Sequence, residues 1–247
     1  MIRLLVSVRS VDEALLVAAG GADFIDLKEP GQGALGGLPV AAIRTIVAAL
    51  RAQGCTLPVS ATIGDLGMHE LAPIRAQVEA VGACGVDYVK VGIERAAGAP
   101  EVLAWLAQCG RPVVPVFIAD RGLDETVVAQ ALSLRFPGLM LDTADKRAGS
   151  LFDALPLPVL QRFVAGAREA GCLVGLAGAL RVAHAPSLAA LRPDFAGFRS
   201  AVCAGGRSGA LERQRLHDLV GAMRLAQASV VRTSPSSSER MRASSAR

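Results

Sequence analysis

The chain is 247 residues long, 52% apolar and only 4% aromatic, with a formal net charge of +4. That much apolar material supplies one large core or two small ones, and its Ala, Val, Leu and Gly bias suits parallel strands under helices better than an antiparallel sandwich. The charge does not point to nucleic acid, because residues 229–247 (SVVRTSPSSSERMRASSAR) hold four Arg and one Glu, +3 of the +4, leaving the body near +1 and without basic–aromatic interleaving.

The chain opens on MIRLLVSVRS, where Arg3 and Arg9 interrupt the apolar run, unlike a secretory signal. No later stretch reaches the roughly 18 uninterrupted apolar residues of a membrane helix. Short β-rich runs then recur: LLVSV (4–8), FIDLK (24–28), PVSATI (58–63), YVKVGI (88–93), VVPVFIA (113–119), LMLDT (139–143), LVGLAG (173–178) and FAGFRS (195–200). Between them lie segments with helical apolar spacing, such as VDEALLVAAGGA, PVAAIRTIVAALRAQ, LAPIRAQVEAVGACG and LPVLQRFVAGAREAG, several ending in the Gly that helix C-termini prefer. DETVVAQALSL and APSLAALR are shorter helical segments. Eight strands, each followed by a helix, predict a single (β/α)8 TIM barrel. An open dinucleotide-binding sheet is the competitor, but no GxGxxG follows the first strand. The predicted organisation is a barrel over residues 1–228 and a disordered Ser/Arg-rich tail over 229–247.

In a barrel, one side of each strand faces helices and the other faces the interior. In FIDLK, Ile25 and Leu27 take the helix side, which sends Asp26 and Lys28 inward. The same alternation sends Tyr88 and Lys90 inward from YVKVGI, Met140 and Asp142 from LMLDT, and Arg199 from FAGFRS. Charges are costly to bury unless paired, so several near the C-terminal strand ends predict a site, as barrel enzymes build theirs at that end. The lysines sharpen this: the chain has 23 Arg but only three Lys, at 28, 90 and 146. Lysine offers what arginine does not, a compact amine that can lose its proton and attack a carbonyl. Two of the three lie on strands, and Lys146 follows Asp142 by four residues.

A phosphate cradle in this fold usually sits after strands 7 and 8. GLAGAL (175–180) and CAGGRSGALE (203–212) fit it, with Gly178, Gly205 and Gly206 permitting close backbone approach and Arg199 and Arg207 supplying charge. EPGQGALGG (29–37) predicts a long mobile loop over the mouth, either a lid or a simple turn. Five cysteines (55, 84, 109, 172, 203) without a CxxC pair predict free thiols in a reducing cytoplasm. His69, His184 and His217 are widely separated, and no metal is expected.

The stretches GGADFIDLKEPGQGALG, VSATIGD, DYVKVG, LDTADKRAGSLFD and GLAGAL resemble the (5-formylfuran-3-yl)methyl phosphate synthase family over about residues 2–220. The resemblance implies a (β/α)8 barrel that acts as a carbon–oxygen lyase in methanofuran-type cofactor biosynthesis and related one-carbon metabolism. It implies condensation of two glyceraldehyde 3-phosphate molecules into the furan phosphate, with loss of phosphate and water, through a lysine Schiff base and no cofactor. The motif lysine falls on Lys28, the acid before it on Asp26 and the strand-4 lysine on Lys90. The pair after strand 6 falls on Asp142 and Lys146, the strand-8 arginine on Arg199 and the acid after strand 3 on Asp65. The loop after strand 8 departs from the family pattern, offering Arg207 in place of a lysine.

These roles follow as expectations. Lys28 is the imine-forming electron sink, Asp26 shuttles protons or holds Lys28, and Lys90 crowds Lys28 or steadies an enolate oxygen. Asp142 and Lys146 serve dehydration and phosphate loss, the plainer reading of Asp142 being a cap or a salt bridge. A triose phosphate is the expected partner, with neither nucleic acid nor membrane, and homo-oligomerisation stays open. Competing readings are another Schiff-base aldolase of sugar phosphates, and a non-catalytic barrel that binds a phosphorylated metabolite.

Overall fold

The computed structural model describes residues 1–233. In chain order the elements are β1 (Arg3–Val8), α1 (Val11–Ala19), β2 (Phe24–Leu27), α2 (Val40–Ala52), β3 (Val59–Thr62), α3 (Leu71–Gly82), β4 (Tyr88–Ile93), α4 (Ala99–Leu106) and β5 (Val113–Ile118). They continue with α5 (Glu125–Ser133), β6 (Gly138–Asp142), α6 (Leu151–Ala154), α7 (Leu157–Glu169), β7 (Leu173–Leu176), α8 (Ala185–Leu191), β8 (Phe195–Phe198) and α9 (Arg213–Thr233). The strands pair in parallel in chain order, and β8 closes on β1. The chain is a (β/α)8 barrel, as the eightfold alternation predicts.

Alternation along each strand divides the apolar side chains into two layers. Ile25, Leu27, Val89, Val91, Ile93, Leu139 and Leu141 pack outward against the helices. Leu5, Phe24, Val114, Val116, Met140 and Phe195 fill the barrel interior. The rings of Phe24 and Phe195 lie 5.5 Å apart near the N-terminal strand ends, with the Arg3 guanidinium 4.8 Å from the Phe24 ring. This apolar floor confines the inward polar residues to the upper part of the barrel.

Three strand pairs share one clamp. Asp23, Asp87 and Asp194 stand one residue before β2, β4 and β8. The backbone N–H of each donates to the carbonyl of Leu4, Val59 or Val174, at 2.8 Å in every case. Each carboxylate accepts the N–H of that same residue, at 2.7, 2.7 and 2.8 Å. Before β6 the equivalent position is Pro137, which has no N–H to give.

Several boundaries differ from the sequence expectation. β2, β6, β7 and β8 end one or two residues early, so that Lys28, Thr143 and Arg199 lie just past the ladder rather than in it. α6 is one turn long, too short to show a period in sequence; a reciprocal Ser150–Asp153 capping box starts it. α9 runs through Thr233, past the tail boundary expected at residue 228. Residues 234–247, the remainder of that predicted tail, lie outside the described residues. Among the described residues, no helix is long and apolar enough to cross a membrane.

Half of the 29–37 loop packs into the barrel mouth instead of lying over it. Ala34 and Leu35 sit in the barrel interior, Leu35 only 1% exposed. The Leu35 N–H donates to Asp65 (2.9 Å), and the Gly36 carbonyl accepts from the Thr62 hydroxyl (3.0 Å) and the Glu29 N–H (2.8 Å). Burial of one apolar side chain turns this half of the loop into a plug, and only Gly31, Gln32 and Gly33 remain exposed.

The clamp is testable. Asp194→Ala leaves the Val174 N–H without its carboxylate, a loss of about 1–3 kcal/mol. The thermal midpoint should fall by several degrees while the circular dichroism spectrum is kept; an unchanged midpoint contradicts the clamp.

Candidate active site

Strand register assembles the first half of the site. Asp26 on β2 stands opposite Ser7 of β1 on one side and Ser60 of β3 on the other. Both hydroxyls therefore reach the same carboxylate, Ser7 at 2.9 Å and Ser60 at 2.7 Å. Lys90, from β4, adds its ammonium at 2.9 Å. Asp26 is 1% exposed and Lys90 3%. Burial alone would raise the Asp26 carboxyl, but Lys90, then Lys28 and the Ser60 hydroxyl, hold it below the ordinary carboxylate value.

The second half centres on Asp142, the last residue of β6. One oxygen accepts the Lys28 ammonium at 3.1 Å. The other accepts Lys146 and the Thr143 N–H, the latter at 2.8 Å. Lys146 also lies 3.3 Å from the Thr143 hydroxyl. The acid two residues before Lys28 is thus the partner of Lys90, and the carboxylate that meets Lys28 comes from the far side of the barrel. This corrects the expectation that Asp26 holds Lys28: neighbours on one strand face the same way, but their ionic partners come from other strands.

Electrostatics separate the groups further. Burial would raise the Asp142 carboxyl, but Lys146 and Lys28 together hold it far below the usual carboxylate range, so it stays ionised through neutral pH. Lys146 moves the other way: burial, with Lys28 adding to it, brings its ammonium from 10.5 down to about 8 against the opposing pull of Asp142. An amine at that value exchanges a proton readily near neutrality.

These groups line an open cavity at the C-terminal end of the barrel. Lys28, Lys90, Lys146, Arg199 and Arg207 supply five cations against the carboxylates of Asp26 and Asp142, and among the described residues only Arg199 has a carboxylate partner, Glu13, outside the lining. The excess of positive charge suits an anionic ligand. Gly178 lines the cavity at φ +113, and a Cβ there would come within 2.9 Å of Thr143, so glycine is required.

Other predicted residues fall elsewhere. Gly205 and Gly206 are exposed turn residues outside the cavity lining. Asp65 also lies outside it, and one of its oxygens anchors the plug through the Leu35 N–H. Arg199 lies at the cavity wall, but its guanidinium is bidentate to Glu13 at 2.6 and 2.9 Å. Its remaining donors meet the carbonyls of Ser7, Arg207 and Gly209, each at 3.0 Å. Arg207 reaches over the mouth, its guanidinium donating to the Gly33 carbonyl at 2.8 Å.

Residues 4–220 match the family model described as 4-HFC-P synthase. The chain belongs to that family. A (5-formylfuran-3-yl)methyl phosphate synthase of Archaeoglobus fulgidus is 34% identical over 238 residues, spanning 90% of this chain and 99% of its own. One from Methanocaldococcus jannaschii is 33% identical, spanning 87% and 97%. A Methylorubrum extorquens relative is 40% identical over 223 residues, spanning 90% and 92%. Among solved structures, phosphoribosyl anthranilate isomerase from Thermus thermophilus superposes with a TM-score of 0.62 at 19% identity, covering 93% of this chain and all of that one. That likeness shows the barrel fold alone.

Within this 4-HFC-P synthase frame, residues that sequence reading did not single out prove important. Ser7 and Ser60 were legible by the same alternation that exposed Asp26, since both are polar at inward positions. Glu13 gave no signal, because an acid in the first turn of a helix is commonplace. Asp120, past β5, accepts the Ala144 and Asp145 N–H groups at 2.6 and 2.7 Å and so steadies the loop carrying Lys146; nothing in sequence pairs it with that loop.

The Lys146 value leads to a measurement. Acetic anhydride acylates neutral amines, so the labelling rate of Lys146, followed by peptide mass mapping, should rise through a midpoint near pH 8. In Asp142→Asn the midpoint should move lower still, because the anion that favours the ammonium is gone. A midpoint near the ordinary lysine value of 10.5 contradicts the assigned environment.

Proposed function

We propose that this chain condenses two glyceraldehyde 3-phosphate molecules into (5-formylfuran-3-yl)methyl phosphate, with loss of one phosphate and water. The observation that carries the reading is the buried set of three lysines around two carboxylates at the barrel mouth, of which Lys28 and Lys146 share Asp142. Membership of the 4-HFC-P synthase family supports the substrate class, and the excess of cations supports a phosphorylated one.

The chemistry needs an electron sink, a proton carrier and charge stabilisation. Lys28 condenses with the triose carbonyl, its nitrogen hydrogens leaving with the carbonyl oxygen as water to give a protonated imine, which draws electrons from the neighbouring carbon once that carbon's proton leaves. Asp142, bonded to Lys28 and Lys146 through different oxygens, keeps the two amines in register without itself needing to be protonated. Lys146 takes up and returns the proton, as its value near 8 permits. The enamine carbon then bonds to the aldehyde carbon of the second triose, whose oxygen takes a proton and later leaves as water. Phosphate departs from the second triose with the electrons of its C–O bond, and attack of a substrate hydroxyl on the imine carbon closes the ring and frees the Lys28 amine. Lys90, fixed by Asp26 and the two serine hydroxyls, stabilises developing negative charge on oxygen. Arg207 and the backbone around Gly178 receive a phosphate group. Leu35 and Ala34 exclude water above the interior. No cofactor enters the scheme, and we place the reaction in a cytoplasmic, methanofuran-type biosynthetic route.

Incubation of the purified protein with glyceraldehyde 3-phosphate should yield the furan phosphate by mass, with one phosphate released per product. Lys28→Arg keeps the charge but cannot form an imine at neutral pH, so turnover should fall to the detection limit. A reversible sugar-phosphate aldol product, or an active Lys28→Arg enzyme, overturns the proposal.

A further inference from the structure

We propose that Arg199 and Glu13 form a positioning clamp that shapes the loop over residues 203–212 and so presents Arg207 to the cavity, without touching the phosphate themselves. The proposal rests on the reading that the cavity takes a phosphorylated substrate.

A guanidinium has five N–H donors. In Arg199 all five are committed inside the protein: Nη1 and Nη2 to the two Glu13 oxygens, Nη1 to Ser7 O, Nε to Arg207 O and Nη2 to Gly209 O. A phosphate could bind here only by displacing one of these bonds. The ion pair is nearly enclosed, with side chains 10% and 12% exposed. Glu13 is itself fixed: its carboxylate accepts the Arg9 N–H at 2.9 Å, and its own N–H donates to the Ser10 hydroxyl at 3.2 Å. Burial would raise the Glu13 carboxyl, but Arg199 and Arg9 hold it below the ordinary value, so the pair stays charged.

The clamp therefore ties three places together: the end of β1 through Ser7, the first turn of α1 through Glu13, and the loop after β8 through two carbonyls. That loop is tight. The Ala204 N–H meets Ala210 O at 2.9 Å, and a Cβ on Gly209 would come within 1.5 Å of Ala204 O. With the carbonyls of residues 207 and 209 drawn to Arg199, the Arg207 side chain is left on the cavity side, where it lines the wall and reaches Gly33. Arg207 is the ligand-facing cation of this loop, and Arg199 acts through it.

Glu13→Gln separates a clamp from a direct phosphate ligand, because the two roles predict opposite signs. If Arg199 bound phosphate, neutralising its partner would free positive charge and tighten binding. If Arg199 is the clamp, Glu13→Gln and Arg199→Lys should both weaken inorganic phosphate and raise KM for glyceraldehyde 3-phosphate, by roughly tenfold or more, with kcat much less affected. In both variants hydrogen exchange should quicken in residues 203–212 and stay as in the parent protein across the other strands. Phosphate binding to Glu13→Gln that equals or exceeds the parent overturns the clamp, and so does unchanged exchange in that loop. Should the parent protein bind no phosphate, the reading of the site fails, while the exchange comparison still decides whether the clamp exists.

Discussion

The carboxylate of Asp142 organises the mouth of this barrel. It is 3% exposed, and it meets Lys28 through one oxygen and Lys146 through the other. Two cations and an anion removed from water are costly unless geometry and further hydrogen bonds compensate. Here the Thr143 N–H and hydroxyl complete the shell. Burial, with Lys28 close by, loosens the Lys146 proton in spite of the carboxylate that the two amines share. Asp142 thus couples the amine proposed to form the imine to the amine able to carry protons.

Around that centre the fold supplies rigidity from ordinary barrel features. Parallel register sets Ser7, Asp26 and Ser60 side by side, and Lys90 joins Ser60 on one oxygen of Asp26 while Ser7 takes the other. Phe24, Leu5 and Phe195 form an apolar floor below the charged groups, and Leu35 packs into the interior with them. Asp23, Asp87 and Asp194 lock strand pairs at the opposite end of the barrel, away from the chemistry. Stability is held at the N-terminal face and reactivity at the C-terminal one, the division this fold generally shows.

Much of this was legible in the sequence. A period of two places Asp26, Lys28, Lys90 and Asp142 inside once the strands are located, and the scarcity of lysine marks three of the five charges. What alternation does not carry is pairing across the barrel. Lys90 finds Asp26 two strands away, and Lys28 finds Asp142 across the interior; both depend on closure and register rather than on spacing along the chain. The 29–37 loop, rich in glycine, suggested motion, and its glycines gave no sign that Leu35 between them would be buried in the barrel. Arg199 faced the expected direction, but its engagement by Glu13 joins residues 186 positions apart, which no local pattern reveals.

The most direct test is to trap the adduct and locate it. Reduction with borohydride during incubation with glyceraldehyde 3-phosphate, followed by digestion and mass mapping, should place a stable triose phosphate adduct on Lys28 and leave the peptides of Lys90 and Lys146 unmodified. An adduct on Lys146 with Lys28 untouched, or no adduct while product still forms, would contradict the account.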